Sequence, residues 1–476
     1  MDVHVSLRGR GDLSARIYRQ ILDAIVDGRL RPGERLPPTR ELAAQLDVSR
    51  NTAALAYERL TAEGFLTGRV GDGTFVSTEL PLSEPRSRHA PVGRGLHARR
   101  LWQSIPAPAQ GGSAAPPYNF RAGIPDSQLF PLTTWRRLVA RQLRPAAMRS
   151  AAYGDAAGHP RARAAIARYV GLSRSVRAAA DDVIVTQGAQ QALDIIGRVL
   201  IEPGSVVAVE EPGYPPARRL FHSLGARVVG VPVDDEGLDV AAIPKTTRVI
   251  YVTPSHQFPL GTPMSLARRA ALLAWAERRG AVVIEDDYDS EFRYHARPLD
   301  PLQSLDRGGR VIYVGSFSKV MLPALRLGFL VAPASLQSAF RTAKQLTDWH
   351  GELPTQGALA QFIDEGLLAR HVRKAAREYA LRRSRIVETL ERDFARWLRL
   401  VPSVAGLHVT ARLAPTVSID IEEVVARAQT SGVALYSISR FAAEPRGRSG
   451  LVIGYGAIQT SQIGEGLKRL ARSFRT

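Results

Sequence analysis

At 476 residues the chain is too long for one ordinary core, so two or three domains are expected. A composition that is 45% hydrophobic and 23% charged excludes a disordered chain, and the lack of cysteine excludes disulfides and thiolate metal sites. No apolar run approaches the length of a membrane span, and Met1-Asp-Val-His-Val-Ser-Leu-Arg8 does not read as a signal peptide, so a cytoplasmic location is expected. The net charge of +19 suggests a polyanionic partner. Residues 1–78, however, hold 11 Arg against 10 acidic residues, so the excess lies downstream, either as a phosphate-facing surface or as a general preference for arginine.

In chain order, Leu13, Ile17, Ile21 and Ile25 recur at helical spacing, with Asp12 placed as a cap and Gly28 as a stop. Leu30 to Pro38 is dense in turn residues. Thr39 to Leu46 then predicts a short helix, Asp47-Val48 a turn, and Ser49 the cap of a longer helix to about Glu63 with Leu55, Ala56 and Leu60 facing inward. Phe65 to Val76 predicts a hairpin with a Gly-Asp-Gly tip. Two short helices joined by a tight turn are a helix-turn-helix or a purely structural corner. In the first reading Ser49, Arg50, Asn51 and Thr52 open the helix that enters the major groove. This order of segments resembles the winged-helix domain of the GntR family of bacterial repressors over residues 10–77. The resemblance implies binding to double-stranded operator DNA through Arg40, through Ser49, Arg50, Asn51 and Thr52, and through the wing tip from Gly71 to Gly73. The DNA-binding domain is assigned to residues 1–78.

Residues 79–117 are dominated by Pro, Gly, Ser, Ala and Arg, a composition that buries too little apolar surface to order itself, and are assigned as a flexible linker. Trp102 is a candidate for pinning one short piece of it to a domain.

From Tyr118 to the C-terminus, residues 118–476, predicted strands and helices alternate, which argues for an α/β domain with a mainly parallel sheet. In such sheets ligands gather where the strands end. After Val183–Thr186, the turn Gly188-Ala189-Gln190 enters a helix and offers backbone N–H groups suited to a phosphate. After Val206–Val209, Tyr214 is placed either to stack on a flat ring or to pack in a loop. After Val282–Glu285 comes a cluster of carboxylates. The sequence near it offers neither a histidine pair nor calcium-loop spacing, so Asp286 is read as a partner for a pyridinium nitrogen and Tyr288 as a donor to a phenolic oxygen. After Val311–Val314 come Ser316, Ser318 and Lys319, with Arg326 beyond; the hydroxyls and the guanidinium suit a phosphate. Lys319 is one of only five lysines (245, 319, 344, 374 and 468) in an arginine-rich chain, and lysine alone of the two can lose its proton and attack a carbonyl.

The set resembles the fold-type I, class I/II aminotransferases, which bind pyridoxal 5′-phosphate (PLP) through these segments, with the aldehyde held as a Schiff base by the lysine. The resemblance places Tyr153, in Tyr153-Gly-Asp-Ala-Ala-Gly-His-Pro160, at the phosphate of a partner subunit, and Gly123, in Arg121-Ala-Gly-Ile-Pro-Asp126, in a loop that covers the substrate. The chain departs from the family at Thr253-Pro-Ser-His-Gln-Phe-Pro259, where the usual phenol-binding asparagine is replaced and His256 is the candidate to bind the cofactor in its place. A GntR winged helix tethered to such a domain resembles the MocR/GabR-type regulators. That resemblance implies a head-to-tail, domain-swapped homodimer that senses an amino compound, or PLP itself, through an aldimine at Lys319. The domain would then serve as a sensor; an active aminotransferase with an appended DNA-binding domain is the alternative. Arg440, in Ser437-Ile-Ser-Arg-Phe441, is the candidate for an acidic group of the effector, and no metal site is assigned.

Overall fold

A computed structural model of the chain describes residues 12–69, 71–80, 95–107, 116–146, 152–294, 300–403, 405–443 and 449–475. The chain divides into two compact units, Met1–Ala98 and Arg99–Thr476. Among the described residues no helix is long and apolar enough to cross a membrane.

In the first unit the helix Leu13–Val26 is capped by Asp12, whose carboxylate accepts from the N–H groups of Ser14 and Ala15. Thr39–Gln45 and Arg50–Ala62 follow, the latter capped by Ser49 Oγ, which accepts from Thr52 N at 3.1 Å. The strands Leu66–Arg69 and Gly73–Val76 make the expected hairpin. The turn-rich stretch before Thr39 adds a further short strand, Arg35–Leu36, paired with Gly73–Val76, which the sequence reading missed. The core joins Ile17, Ile21 and Ile25 to Leu42, Ala53, Ala56, Tyr57, Leu60, Leu66 and Val76. Leu55 is a correction: it is 49% exposed rather than inward. With Ala53, Ala56, Tyr57 and Leu60 forming the buried i, i+3, i+4, i+7 stripe, residue 55 falls off that face.

Of the segment assigned as linker, residues 81–94 and 108–115 lie outside the described residues. Between them Arg100–Ser104 forms a short helix on which Trp102 is half-exposed.

The second unit is built on an eight-stranded sheet in the order Val183–Thr186, Gly328–Val331, Val311–Ser316, Val282–Asp287, Thr247–Val252, Val206–Glu211, Arg227–Asp234, Gly237–Leu238. The pairings from Val311–Ser316 through to Arg227–Asp234 are parallel, and Gly328–Val331 runs antiparallel to both of its neighbours. Val183–Thr186, Thr247–Val252, Val282–Asp287 and Val311–Ser316 are rich in β-branched residues and largely buried, as expected of strands covered by helices on both sides, whereas Arg227–Asp234 is mostly open, with only Val231 buried. One apolar cluster lies on the side of the helix Ala189–Leu200, and another packs the helix Leu266–Arg279 on the sheet. A smaller antiparallel sheet, with Leu398–Leu400, His408–Leu413, Gly450–Gly454 and Tyr436–Ser437 in that order, packs with the long helix Leu367–Asp393.

The loop from Arg121 to Asp126 is tied to that helix by a buried ion pair. Arg382 Nη2 lies 2.6 Å from Asp126 Oδ2, Arg382 Nη1 donates to Gly456 O at 3.0 Å, and Asp126 N donates to Tyr379 Oη at 2.9 Å. Removing one partner of such a pair leaves an uncompensated buried charge. Arg382→Leu is therefore expected to lower stability by about 3–5 kcal/mol, read as a fall in the denaturant midpoint of the second unit.

Candidate functional site

The parallel strands end at one edge of the large sheet, where the segments that follow line a cavity of about 440 Å³. Val183–Thr186 leads to Gly188, whose φ of +82° suits glycine, and the helix Ala189–Leu200 then starts with no side-chain cap. Ala189 and Gln190 line the cavity, so the positive end of the helix faces it. Arg326, itself at φ +49°, donates from Nη2 to Gln187 O at 2.7 Å, and a Cβ on residue 188 would sit 2.9 Å from that nitrogen. Ser316 and Ser318 line the same end, with Ser318 N donating to Ser316 Oγ at 3.1 Å. Uncapped N–H groups, two hydroxyls and a guanidinium together make a dianion site.

The middle of the cavity is flat and aromatic. Tyr214, at the start of the helix Pro215–Ser223, meets Phe258 edge-on with centroids 5.9 Å apart. Asp286 Oδ2 accepts from Tyr251 Oη at 2.7 Å, while its Oδ1 is buried with no partner. Burial pushes the Asp286 carboxyl up to about 7, against the pull of the Tyr251 bond and Lys319. Neighbouring Glu210 is also pushed up to about 7 by burial. It orders the loop after Val252 by accepting from Thr253 N, Thr253 Oγ1 and Gln257 Nε2.

Lys319 lines the cavity and donates from Nζ to Gly123 O at 2.6 Å. Burial lowers its pKa below the usual lysine range, and the charges of Asp289 and Asp286 oppose that shift. Tyr288 Oη donates to His256 O at 2.9 Å. His256 is almost fully buried behind it, with Nδ1 3.0 Å from Asp289 Oδ1 and Nε2 3.2 Å from Ser403 Oγ.

Residues 118–468 match the family described as aminotransferase class I and II, and residues 13–76 match the bacterial regulatory proteins of the gntR family. The chain is 38% identical to the probable rhizopine catabolism regulatory protein MocR of Rhizobium meliloti, over 96% of this chain and 93% of that one. It is 32% identical to the pyridoxine biosynthesis transcriptional regulator PdxR of Corynebacterium glutamicum, over 94% of this chain and 92% of that one. In structure it resembles a kynurenine aminotransferase of Pyrococcus horikoshii, with a TM-score of 0.70 and 28% identity over 76% of this chain and 91% of that one. The chain belongs to the MocR-type regulators of the GntR family.

The second unit of this MocR-type protein thus has the fold-type I architecture, whose cofactor is PLP, and its winged helix is a DNA-binding domain. The residues present fit the cofactor. The orphaned Asp286 Oδ1 supplies the acceptor that a pyridinium N–H requires, the uncapped helix start suits the phosphate, and Lys319 lines the same cavity.

Of the residues singled out in the sequence, Ala189, Gln190, Tyr214, Asp286, Tyr288, Ser316, Ser318, Lys319, Arg326 and Gly123 all line this cavity, and Gly188 adjoins it. Three others do not. His256 stands behind Tyr288 and Asp289. Tyr153 is 74% exposed, stacked on Trp349 at 4.5 Å. Arg440 lies over the Tyr436 ring at 4.8 Å. Asp289 and His408 line the cavity and were missed; Asp289 lay unmarked within a run already noted, and His408 comes from the second sheet, about 120 residues away, where no local signal marks it. His408 and His256 also give Asp289 the histidine pair that is absent from its own stretch of sequence, with ligand atoms within 4.8 Å of one another. His256 already spends both ring nitrogens on Asp289 and Ser403, so the group is built as a hydrogen-bond network.

Gly188→Ala would force a side chain into a left-handed conformation and against Arg326. It should weaken PLP uptake by about tenfold or more, measured by spectrophotometric titration, since 1.4 kcal/mol is tenfold. Because burial lowers the Lys319 pKa, the neutral amine persists to lower pH than on a free lysine. Formation of the lysine-linked visible band from PLP should therefore show its pH midpoint below the ordinary lysine range, followed by stopped-flow absorbance.

Proposed function

We propose that the protein is a PLP-dependent transcriptional regulator whose aminotransferase-like unit senses an amino compound and passes its ligand state to the winged helix. The observation that carries this reading is the pairing, in one chain, of a DNA-binding domain with a cavity lined by both Lys319 and Asp286, whose Oδ1 is unpartnered. The cofactor, when bound, supplies an aldehyde carbon that can pass reversibly between Lys319 and an incoming amine.

The protein's own residues perform the rest. Asp286 holds a proton on the ring nitrogen, Tyr214 covers the ring, Tyr288 turns its one hydroxyl proton from His256 O to the phenolic oxygen, and the Gly188–Gln190 turn with Ser316, Ser318 and Arg326 grips the phosphate. His256 supports Tyr288 and Asp289 instead of touching the cofactor itself. Lys319 adds a switching element: free, its ammonium is latched to Gly123 O, and engaging Nζ elsewhere withdraws that donor. The Arg121–Asp126 loop, still pinned at its far end by Arg382, then has a different set of contacts in the two states. A ligand shifts such an equilibrium only by its differential affinity for the two states.

On the DNA side, Arg40, the helix start from Ser49 to Thr52, and the wing glycines Gly71 and Gly73 are assigned the operator contacts. A head-to-tail, domain-swapped homodimer belongs to the same reading, with the exposed Tyr153 reaching the partner's phosphate. Likeness to an aminotransferase keeps a second reading in play, a working transaminase carrying a DNA-binding domain. Likeness to a pyridoxine biosynthesis regulator supports a variant in which PLP alone is the signal.

Lys319→Ala should lose the visible absorbance of the holoprotein and the response of operator binding to amines, followed by absorbance and by electrophoretic shift. Sustained release of a carbonyl product from an added amine would support the transaminase reading and count against a sensor. Operator binding that follows PLP with no amine present would favour the variant.

A further inference from the structure

In the helix Arg50–Ala62 the residues Ala53, Ala56, Tyr57 and Leu60 are buried in the core of the winged helix. At 3.6 residues per turn, the line opposite that stripe runs through Asn51, Leu55 and Glu58, with Ala54 beside it. The first three are exposed. Among the described residues of the winged helix, Leu55 is the most open large apolar side chain. It is 49% exposed, whereas Leu13 and Val26, at the two ends of their helix, are 38% and 36%. Residues 51, 54, 55 and 58 follow the i, i+3, i+4, i+7 spacing of one helix face, and a recognition helix turns such a face to the base edges of the major groove. The operator contacts assigned above begin on this face at Asn51, and Leu55 continues the same surface one turn further in.

Beyond its start, this helix has little with which to hold a phosphate. Between Arg50 and Arg59 the sequence has no basic residue. Arg59 is paired within the domain, with Nε 3.0 Å from Glu63 Oε1 and its guanidinium 3.9 Å over the Tyr18 ring. Glu58 carries the same sign as the DNA backbone and confines close approach to the first two turns. What the second turn adds is therefore contact with bases. Leucine has neither donor nor acceptor. Against the amino group of cytosine or adenine it would strip water from a donor and return no bond. Thymine alone shows an apolar group in the major groove, its C5-methyl.

We propose that Leu55 is a sequence-reading residue of the winged helix and that it packs on the C5-methyl group of a thymine in the operator. This rests on the recognition-helix assignment above and deepens it by naming a base. Leu55 lies about 6 Å along the helix axis from Asn51. Base pairs are stacked about 3.4 Å apart, so the thymine falls within two steps of the base that faces Asn51.

The test uses the full-length, PLP-loaded protein. Sites are selected from a random duplex library, and each thymine of a recovered site is replaced singly by deoxyuridine, which removes the C5-methyl group and nothing else. By fluorescence anisotropy, the unsubstituted protein should lose roughly fourfold in affinity at the thymine that Leu55 covers, the worth of one buried methyl. Leu55→Ala should bind the thymine and deoxyuridine duplexes alike, and Leu55→Met, which keeps the apolar reach, should retain part of the difference. Because the side chain faces solvent, neither change touches the core. A recovered site in which no thymine is sensitive would overturn the proposal, as would a loss in Leu55→Ala equal to that in the unsubstituted protein. Both results leave the recognition-helix assignment standing. That assignment is read from Arg50→Ala, which should weaken binding to the thymine and deoxyuridine duplexes by the same factor. Unchanged binding by Arg50→Ala, or a selection that recovers no site, would overturn the assignment and the proposal together.

Discussion

Asp286 stands at the end of an interior strand with one oxygen bonded to Tyr251 and the other buried against nothing. A buried carboxylate left half-satisfied costs free energy that folding alone has no reason to spend. The rest of the second unit is arranged so that this oxygen has somewhere to point. The parallel strands deliver their following segments to one edge, where Ser316, Ser318 and Arg326, the ring of Tyr214 and a desolvated Lys319 line one cavity. Each piece is ordinary alone; together they fit PLP, the cofactor of the fold family this unit belongs to.

That dependence explains which parts were legible in the sequence. Strand-end groups follow their strands within a few residues, so the strand positions largely fixed Ala189, Gln190, Tyr214, Asp286 and Lys319 as neighbours. The winged helix was readable for a similar reason, since caps and turn residues act locally: Asp12 and Ser49 cap the helices they precede. His408 and its contact with Pro259 were not readable. They depend on how the small antiparallel sheet docks near the loop after Val252, and that is decided by packing between segments far apart in the chain. Leu55 is exposed for a simpler reason: its position falls off the helix face that Ala53, Ala56, Tyr57 and Leu60 bury.

The substitution of His256 near the usual asparagine position also acquires a physical meaning. The imidazole sits behind the cavity and spends its nitrogens on Asp289 and Ser403, stiffening the wall that Tyr288 and Asp289 form. The loop at Gly123 is held by Lys319 on one side and by the Arg382–Asp126 pair on the other, and on the proposed reading it is the element whose contacts change when Lys319 is engaged.

Everything in this account passes through one nitrogen atom, in a chain with only five lysines. Borohydride reduction of the PLP-loaded protein, followed by proteolysis and mass spectrometry of the peptides, reads that directly. The account predicts a phosphopyridoxyl group on the peptide containing Lys319. An adduct on Lys245, Lys344, Lys374 or Lys468 in its place, or no adduct at all, would contradict it.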